Sequence, residues 1–243
     1  MFIVNTQRFI LDLNNGNSRF FYIAGLLYLK LKRAFHYMNI YRTSITFVLA
    51  FILATLLFSL QFPLLVIILT VFIFFLGFNV LPTLFTIYRS NNLKSIEKYI
   101  QVNKKKPIFA YPLALAQGND VEVEESLRAI IEKHKQPYMQ HVYKTLLALH
   151  LKNIEAADTY AQRIDSEPLK SYYAALIAAK QGHFEVASRH EENVGVEWMI
   201  HALHALYAKE KGQQELFEKE AQQAIAHSRG IQKFIVVHSV GRI

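Results

Sequence analysis

The sequence predicts an all-α protein: a two-helix transmembrane hairpin followed by an array of helical repeats. Three observations predict it. Forty-six consecutive residues, Thr43 to Tyr88, contain no Lys, Arg, Asp, Glu or His. Basic residues crowd both flanks of that stretch. Beyond Pro107, Ala-rich helical segments recur, and each closes in a polar turn.

Residues 1–42 come first. A turn signal at Asn14-Asn15-Gly16-Asn17-Ser18 precedes an apolar and basic segment from Phe20 to Arg42. Its apolar run, Phe20 to Leu29, is about half of the roughly 20 residues that one membrane crossing needs. The segment reads as an amphipathic helix in the headgroup region, with Tyr22, Tyr28, Tyr37 and Tyr41 at the interface. An ordinary helix packed on the following domain is the other reading. Met1 to Leu13 allow either a short strand or a helix. The apolar stretch comes too late, and behind too many basic residues, for a secretory signal.

Residues 43–88 form the hairpin. As a single helix they would be about 69 Å long, against a hydrocarbon core of about 30 Å. Pro63, after Ser59-Leu60-Gln61-Phe62, suits a helix start, so the crossings fall at about 43–60 and 63–88. No ionisable group lies between them, which argues against an autonomous transporter or proton pump. In the second crossing, Pro82 removes the bond to the carbonyl of Phe78 and should kink the helix. Gly77 permits close helix approach, and Asn79 can hydrogen-bond a neighbouring helix. These three residues serve either packing within the hairpin or contact with another membrane protein.

Charge sets the expected topology. Residues 1–42 carry six Lys/Arg and one acid, residues 89–106 carry six and one, and residues 107–243 are slightly acidic. The net charge of +8 therefore sits at the membrane ends, at Lys30, Lys32, Arg33 and Arg42 before the hairpin and at Arg89, Lys104, Lys105 and Lys106 after it. Positive flanks favour the cytoplasmic side. Both termini are expected in the cytoplasm of a multi-pass protein of the cell membrane, with the basic flanks against anionic headgroups at about 1 kcal/mol per residue. Residues 89–106 read as a basic juxtamembrane linker or helix. No basic stripe on a folded face points to nucleic acid. The chain has no Cys, which excludes disulfides and thiol nucleophiles.

Residues 107–243 repeat. Four segments end alike: Ala114-Leu115-Ala116-Gln117-Gly118-Asn119, Ala148-Leu149-His150-Leu151-Lys152-Asn153, Ala178-Ala179-Lys180-Gln181-Gly182-His183 and Ala208-Lys209-Glu210-Lys211-Gly212-Gln213. Gly118, Lys152, Gly182 and Gly212 align. Pro107, Pro137 and Pro168 open successive units, the expected partners of a glycine just past a helix end. A second helix follows each turn, over Val121 to Lys133, Ile154 to Ile164, Phe184 to Val194 and Glu215 to His227. Each helix pair needs a neighbour to bury its apolar face. In its third unit, Ala175, Ala178, Lys180-Gln181-Gly182-His183-Phe184 and Ala187 resemble the tetratricopeptide repeat, with the helix-crossing position at Val123, Ala157, Ala187 and Phe217. A plain helical bundle is the alternative.

The resemblance implies a groove for a protein or peptide partner. Positions that hold a C-terminal carboxylate in some family members are here Val142, Leu146, Tyr172, Leu176, Ala202 and Leu206, all apolar, so that clamp is absent. Tyr172, Leu176, Met199 and Leu206 are expected either to line a groove for an apolar or helical ligand or to form the core. Trp198 reads as core.

No enzyme pattern is present. His190-Glu191 fails as a zinc-protease motif because Val194 stands where the second His belongs. His201 and His204, three apart, could share a helix face, and Glu197 lies a turn away, but no third metal ligand is evident; no metal or cofactor is expected. No Gly-rich phosphate loop or nucleophile elbow occurs. The expected function is a membrane-anchored cytoplasmic scaffold at the inner face of a bacterial-type membrane, binding its partner through the repeats. The alternative is an accessory or regulatory subunit of a membrane transporter or protease complex, engaged through the hairpin.

Overall fold

The computed structural model describes residues 40–240, with side chains from Thr43 onward. The expected interfacial helix, with Lys30, Lys32 and Arg33 and the side chain of Arg42, lies outside the described residues. Every regular element described is an α-helix. The chain divides after Arg89 into two units.

The first unit contains α1 (Ile40–Ser59), α2 (Leu64–Asn79) and α3 (Leu81–Tyr88). α1 packs against α2, and Thr46, Ala50 and Ile67 are buried. Between the two helices Gln61 takes a left-handed φ of 63°. α2 and α3 are separated by Val80 alone, whose backbone stays right-handed helical. Together they form a 25-residue helix, Leu64–Tyr88, long and apolar enough to cross a membrane. α1 contributes the shorter apolar stretch Thr43–Ser59. The break at Val80 sits two residues before Pro82, whose missing N–H and ring disturb the preceding turn. Side-chain hydroxyls bond back to their own helices, Thr55 to Ile52, Ser59 to Leu56, Thr83 to Asn79 and Thr86 to Pro82. These bonds let polar residues sit on apolar helices at little cost. The outward surface is almost wholly apolar, with Phe47, Phe51, Phe58, Leu65 and Ile73 each 66 % exposed or more.

The second unit begins at Ser90. It contains α4 (Leu93–Val102), α5 (Pro107–Gln117), α6 (Asp120–Lys133), α7 (Pro137–His150), α8 (Ile154–Ala161), α9 (Leu169–Lys180), α10 (Phe184–Glu191), α11 (Glu197–Glu210), α12 (Gln214–His227) and α13 (Gly230–Ser239). The pairs α5–α6, α7–α8, α9–α10 and α11–α12 are antiparallel neighbours, and each pair packs on the next. Pro107 and Pro137 occupy the first turns of α5 and α7, where a missing N–H is harmless. Asn119 and Asn153 cap α6 and α8 through their side-chain oxygens.

The four aligned turns share one geometry. Gly118, Lys152, Gly182 and Gly212 have φ of 73°, 57°, 78° and 69°. In each turn the following N–H donates to the carbonyl of the aligned alanine: Asn119 to Ala114, Asn153 to Ala148, His183 to Ala178 and Gln213 to Ala208. This is a Schellman closure, and it satisfies carbonyls that a helix end would leave open. Val123, Ala157 and Ala187, five residues past the turn, are buried, whereas Phe217 is only partly buried. α8 and α10 end three residues before the expected limits, although Ile164 and Val194 remain in the core.

Two features lie outside the sequence-based expectation. α4, within the segment expected to be a basic juxtamembrane linker or helix, is a helix built into this unit: Ile96 and Ile100 have no exposed surface and cluster with Phe109, Leu113 and Phe234. And α13 turns back to pack on α4, α5 and α12. Its first residue ties it there, as the Gly230 N–H donates to the Ser90 carbonyl at 2.8 Å. Phe234 belongs to the α4–α5 cluster, Ile235 packs on the cluster of Tyr111, Leu115, Val123 and Leu127, and Val236 and Val240 belong to the large cluster of α9 and α11. A helix apolar on more than one face is an internal helix.

Candidate functional site

The four candidate groove residues lie together, inside. Tyr172 and Leu176 on α9 and Met199 and Leu206 on α11 are 8, 8, 6 and 1 % exposed, and all belong to one core cluster with Val236 of α13 and Val240 just past its end. In this conformation they offer almost no surface to a partner, and the core reading describes them. The Tyr172 ring meets Tyr173 edge-on at 5.3 Å and leans on Trp198 at 5.9 Å. Trp198 is itself partly buried against this cluster. Burial raises the Tyr172 phenol to about 12, raises Tyr143 to about 12, and moves Tyr111 and Tyr173 well above the ordinary range.

Of the hairpin candidates, Asn79 is buried and its side-chain amide donates to the Phe75 carbonyl one turn back, at 3.1 Å. One of the two N–H groups of its side-chain amide is thereby used within its own helix. A Cβ added at Gly77 would meet nothing within 4 Å, so the glycine is not needed for close approach inside this unit. Pro82 is exposed beside the break at Val80. Of the basic residues, Arg89, Lys104 and Lys105 are exposed, while Lys106 lies over the Phe109 ring at 5.8 Å.

The densest chemistry is a histidine–carboxylate cluster across three consecutive helices. α11 places His201 and His204 one turn apart, as their spacing requires. α12 supplies Glu220 and His227, and α10 supplies Glu191 at its last turn. Nδ1 of His201 is 2.7 Å from Oε2 of Glu220, and Nδ1 of His204 is 3.7 Å from the same oxygen. Nε2 of His204 is 2.6 Å from Oε1 of Glu191. His227 Nδ1 pairs with Glu197 Oε2 at 2.6 Å, and its ring lies 5.3 Å from that of His201. Tyr207 follows His204 by three residues with ring centroids 6.0 Å apart. Burial, followed by the charge of Glu191, raises its phenol far above the ordinary value.

His201 and His204 were visible in the sequence as a pair on one face. Glu220 was not, because it reaches them from the next helix, at a separation no local pattern encodes. Glu197, the acid one turn away on the same helix, pairs with His227 instead. No protein-family model, no curated protein and no solved structure matches this chain.

Proposed function

We propose that this chain is a membrane-anchored scaffold that holds a protein or peptide partner through helical repeats at the cytoplasmic face of a cell membrane. α1 and the α2–α3 helix form a hairpin with two crossings, and both basic flanks lie inside. The second unit is a solenoid of the tetratricopeptide-repeat kind, and its partner presents an apolar helical face.

The observation that carries this reading is the seating of α13. The helix pairs take up a short apolar helix, Gly230–Ser239, and engage it through Phe234, Ile235, Val236 and Val240. An array that accommodates such a helix has the chemistry of helix-in-groove recognition. The four identical turns support the repeat assignment, because one local geometry recurs at one aligned position. The exposed apolar surface of α1 to α3 supports the anchor, since a patch of that extent is unfavourable in water.

Affinity purification in mild detergent tests the reading. Bait starting at Ser90 should retain the partners of the full chain. Loss of those partners, with retention by a bait of residues 40–89, would favour the alternative, an accessory subunit of a membrane transporter or protease complex. The open space beside Gly77 supports that alternative, since it leaves room for a neighbouring helix. Topology is tested separately by cysteine labelling. Gln61→Cys should react with an impermeant thiol reagent from outside and Lys94→Cys should not; the opposite pattern would discard the cytoplasmic termini.

A further inference from the structure

We propose that His201, His204 and Glu220 form a binding site for a divalent transition-metal ion of the zinc class, with Glu191 as the residue that orients His204. The three ligand atoms all lie within 4.8 Å of one another. Two imidazoles and one carboxylate, with a fourth place left for water, are a ligand set that zinc takes in tetrahedral geometry. Bonds of about 2.0–2.2 Å at tetrahedral angles put ligand atoms about 3.3–3.5 Å apart. The 3.7 Å from His204 to Glu220 is close to that value, and the 2.7 Å from His201 to Glu220 needs only a small side-chain opening.

The hydrogen-bond inventory points the same way. A neutral imidazole donates from one ring nitrogen only. His204 faces a carboxylate oxygen with each of its nitrogens, Glu191 at Nε2 and Glu220 at Nδ1. Once Nε2–H donates to Glu191, the Nδ1 lone pair points toward the Glu220 oxygen across a gap too long for a hydrogen bond. A cation between the two resolves that opposition. The Glu191–His204 pair at 2.6 Å is then the carboxylate–histidine–metal relay that fixes ring and tautomer. The ligand side chains are 28, 40 and 12 % exposed, so an ion reaches them from solvent without unfolding. Bound there, the ion pins α11 to α12 and, through Glu191, to α10.

The test uses the full chain in mild detergent with its affinity tag removed. Titration with zinc sulfate in a calorimeter should give one ion per chain, and Co(II) should give the intense visible bands of a tetrahedral site. Glu220→Gln, which keeps side-chain shape, should weaken zinc binding at least tenfold, as should His204→Ala. Glu191→Gln should weaken it by about 10–100-fold with all three ligands present. His183→Ala, an exposed histidine elsewhere, should leave it unchanged. Circular dichroism on each variant separates lost binding from lost fold. The proposal is overturned if zinc fails to saturate at one equivalent, or if Glu220→Gln, folded, binds as tightly as the unmodified chain. An octahedral Co(II) spectrum, or Glu191→Gln with full affinity, would overturn the geometry and the orienting role respectively.

Discussion

Lys152 shows how much one backbone position can be read from its neighbours. It takes the place that Gly118, Gly182 and Gly212 take in the other three turns, and it adopts the same left-handed φ. A side chain there carries a steric cost of about 1 kcal/mol that glycine avoids. Lys152 is exposed, so its replacement forfeits no packing. Lys152→Gly should therefore raise stability by about 0.5–1 kcal/mol, a Tm gain of about 1–4 °C by calorimetry. Gly182→Ala should do the reverse by a similar amount, although open space surrounds the added methyl, because the strain is in the backbone. Tyr172 and Leu176 were open to two readings in the sequence, and their burial now makes a different forecast. Tyr172→Ala with Leu176→Ala should lower the melting temperature strongly, since a buried Leu→Ala alone costs about 2–5 kcal/mol. An unchanged melting curve would return both residues to the surface and reopen the groove at α9.

At the level of elements, helix starts and turns were legible because prolines, asparagines and glycines act through local geometry. The roles of α4 and α13 were not legible. α4 carries Lys94, Lys98 and one acid among apolar residues, so its composition resembles a basic juxtamembrane segment. Ile96 and Ile100 decide otherwise, one turn apart on a single buried face. A soluble fragment from Ser90 should fold as a helical domain. One from Pro107 should be less stable or aggregate, because it uncovers Phe109, Leu113 and Phe234. Equal denaturant midpoints for the two fragments would show that α4 contributes nothing to the core. α13 follows the same logic, since part of the apolar surface it covers belongs to α4 and α5, more than 100 residues earlier in the chain.

Across the molecule, buried phenols on α5, α7 and α9 link stability to alkaline pH. Tyr143 and Tyr172 stay neutral in the fold to about 12, and Tyr111 and Tyr173 are raised further, against about 10 for an unfolded tyrosine. Below the unfolded value both states hold their protons and this contribution is complete. As pH rises from about 10 through 12 the unfolded chain releases protons first, so stability must fall. Denaturant midpoints of the Ser90 fragment should drop over that interval, with phenolate absorbance appearing together with unfolding. A flat midpoint would place these rings in solvent. The sequence by itself determined the helical class, the uncharged stretch that yields one helix able to cross a membrane, and the positions of the four aligned turns. Each follows from composition, charge or steric preference acting over a few residues. The tertiary structure decided what those local rules leave open: that α4 belongs to the core, that α13 turns back onto α4, α5 and α12, and that Glu220 reaches His201 and His204 from the next helix. Such contacts depend on how one helix face settles against another, and packing is set by the sum of many side chains rather than by any short pattern.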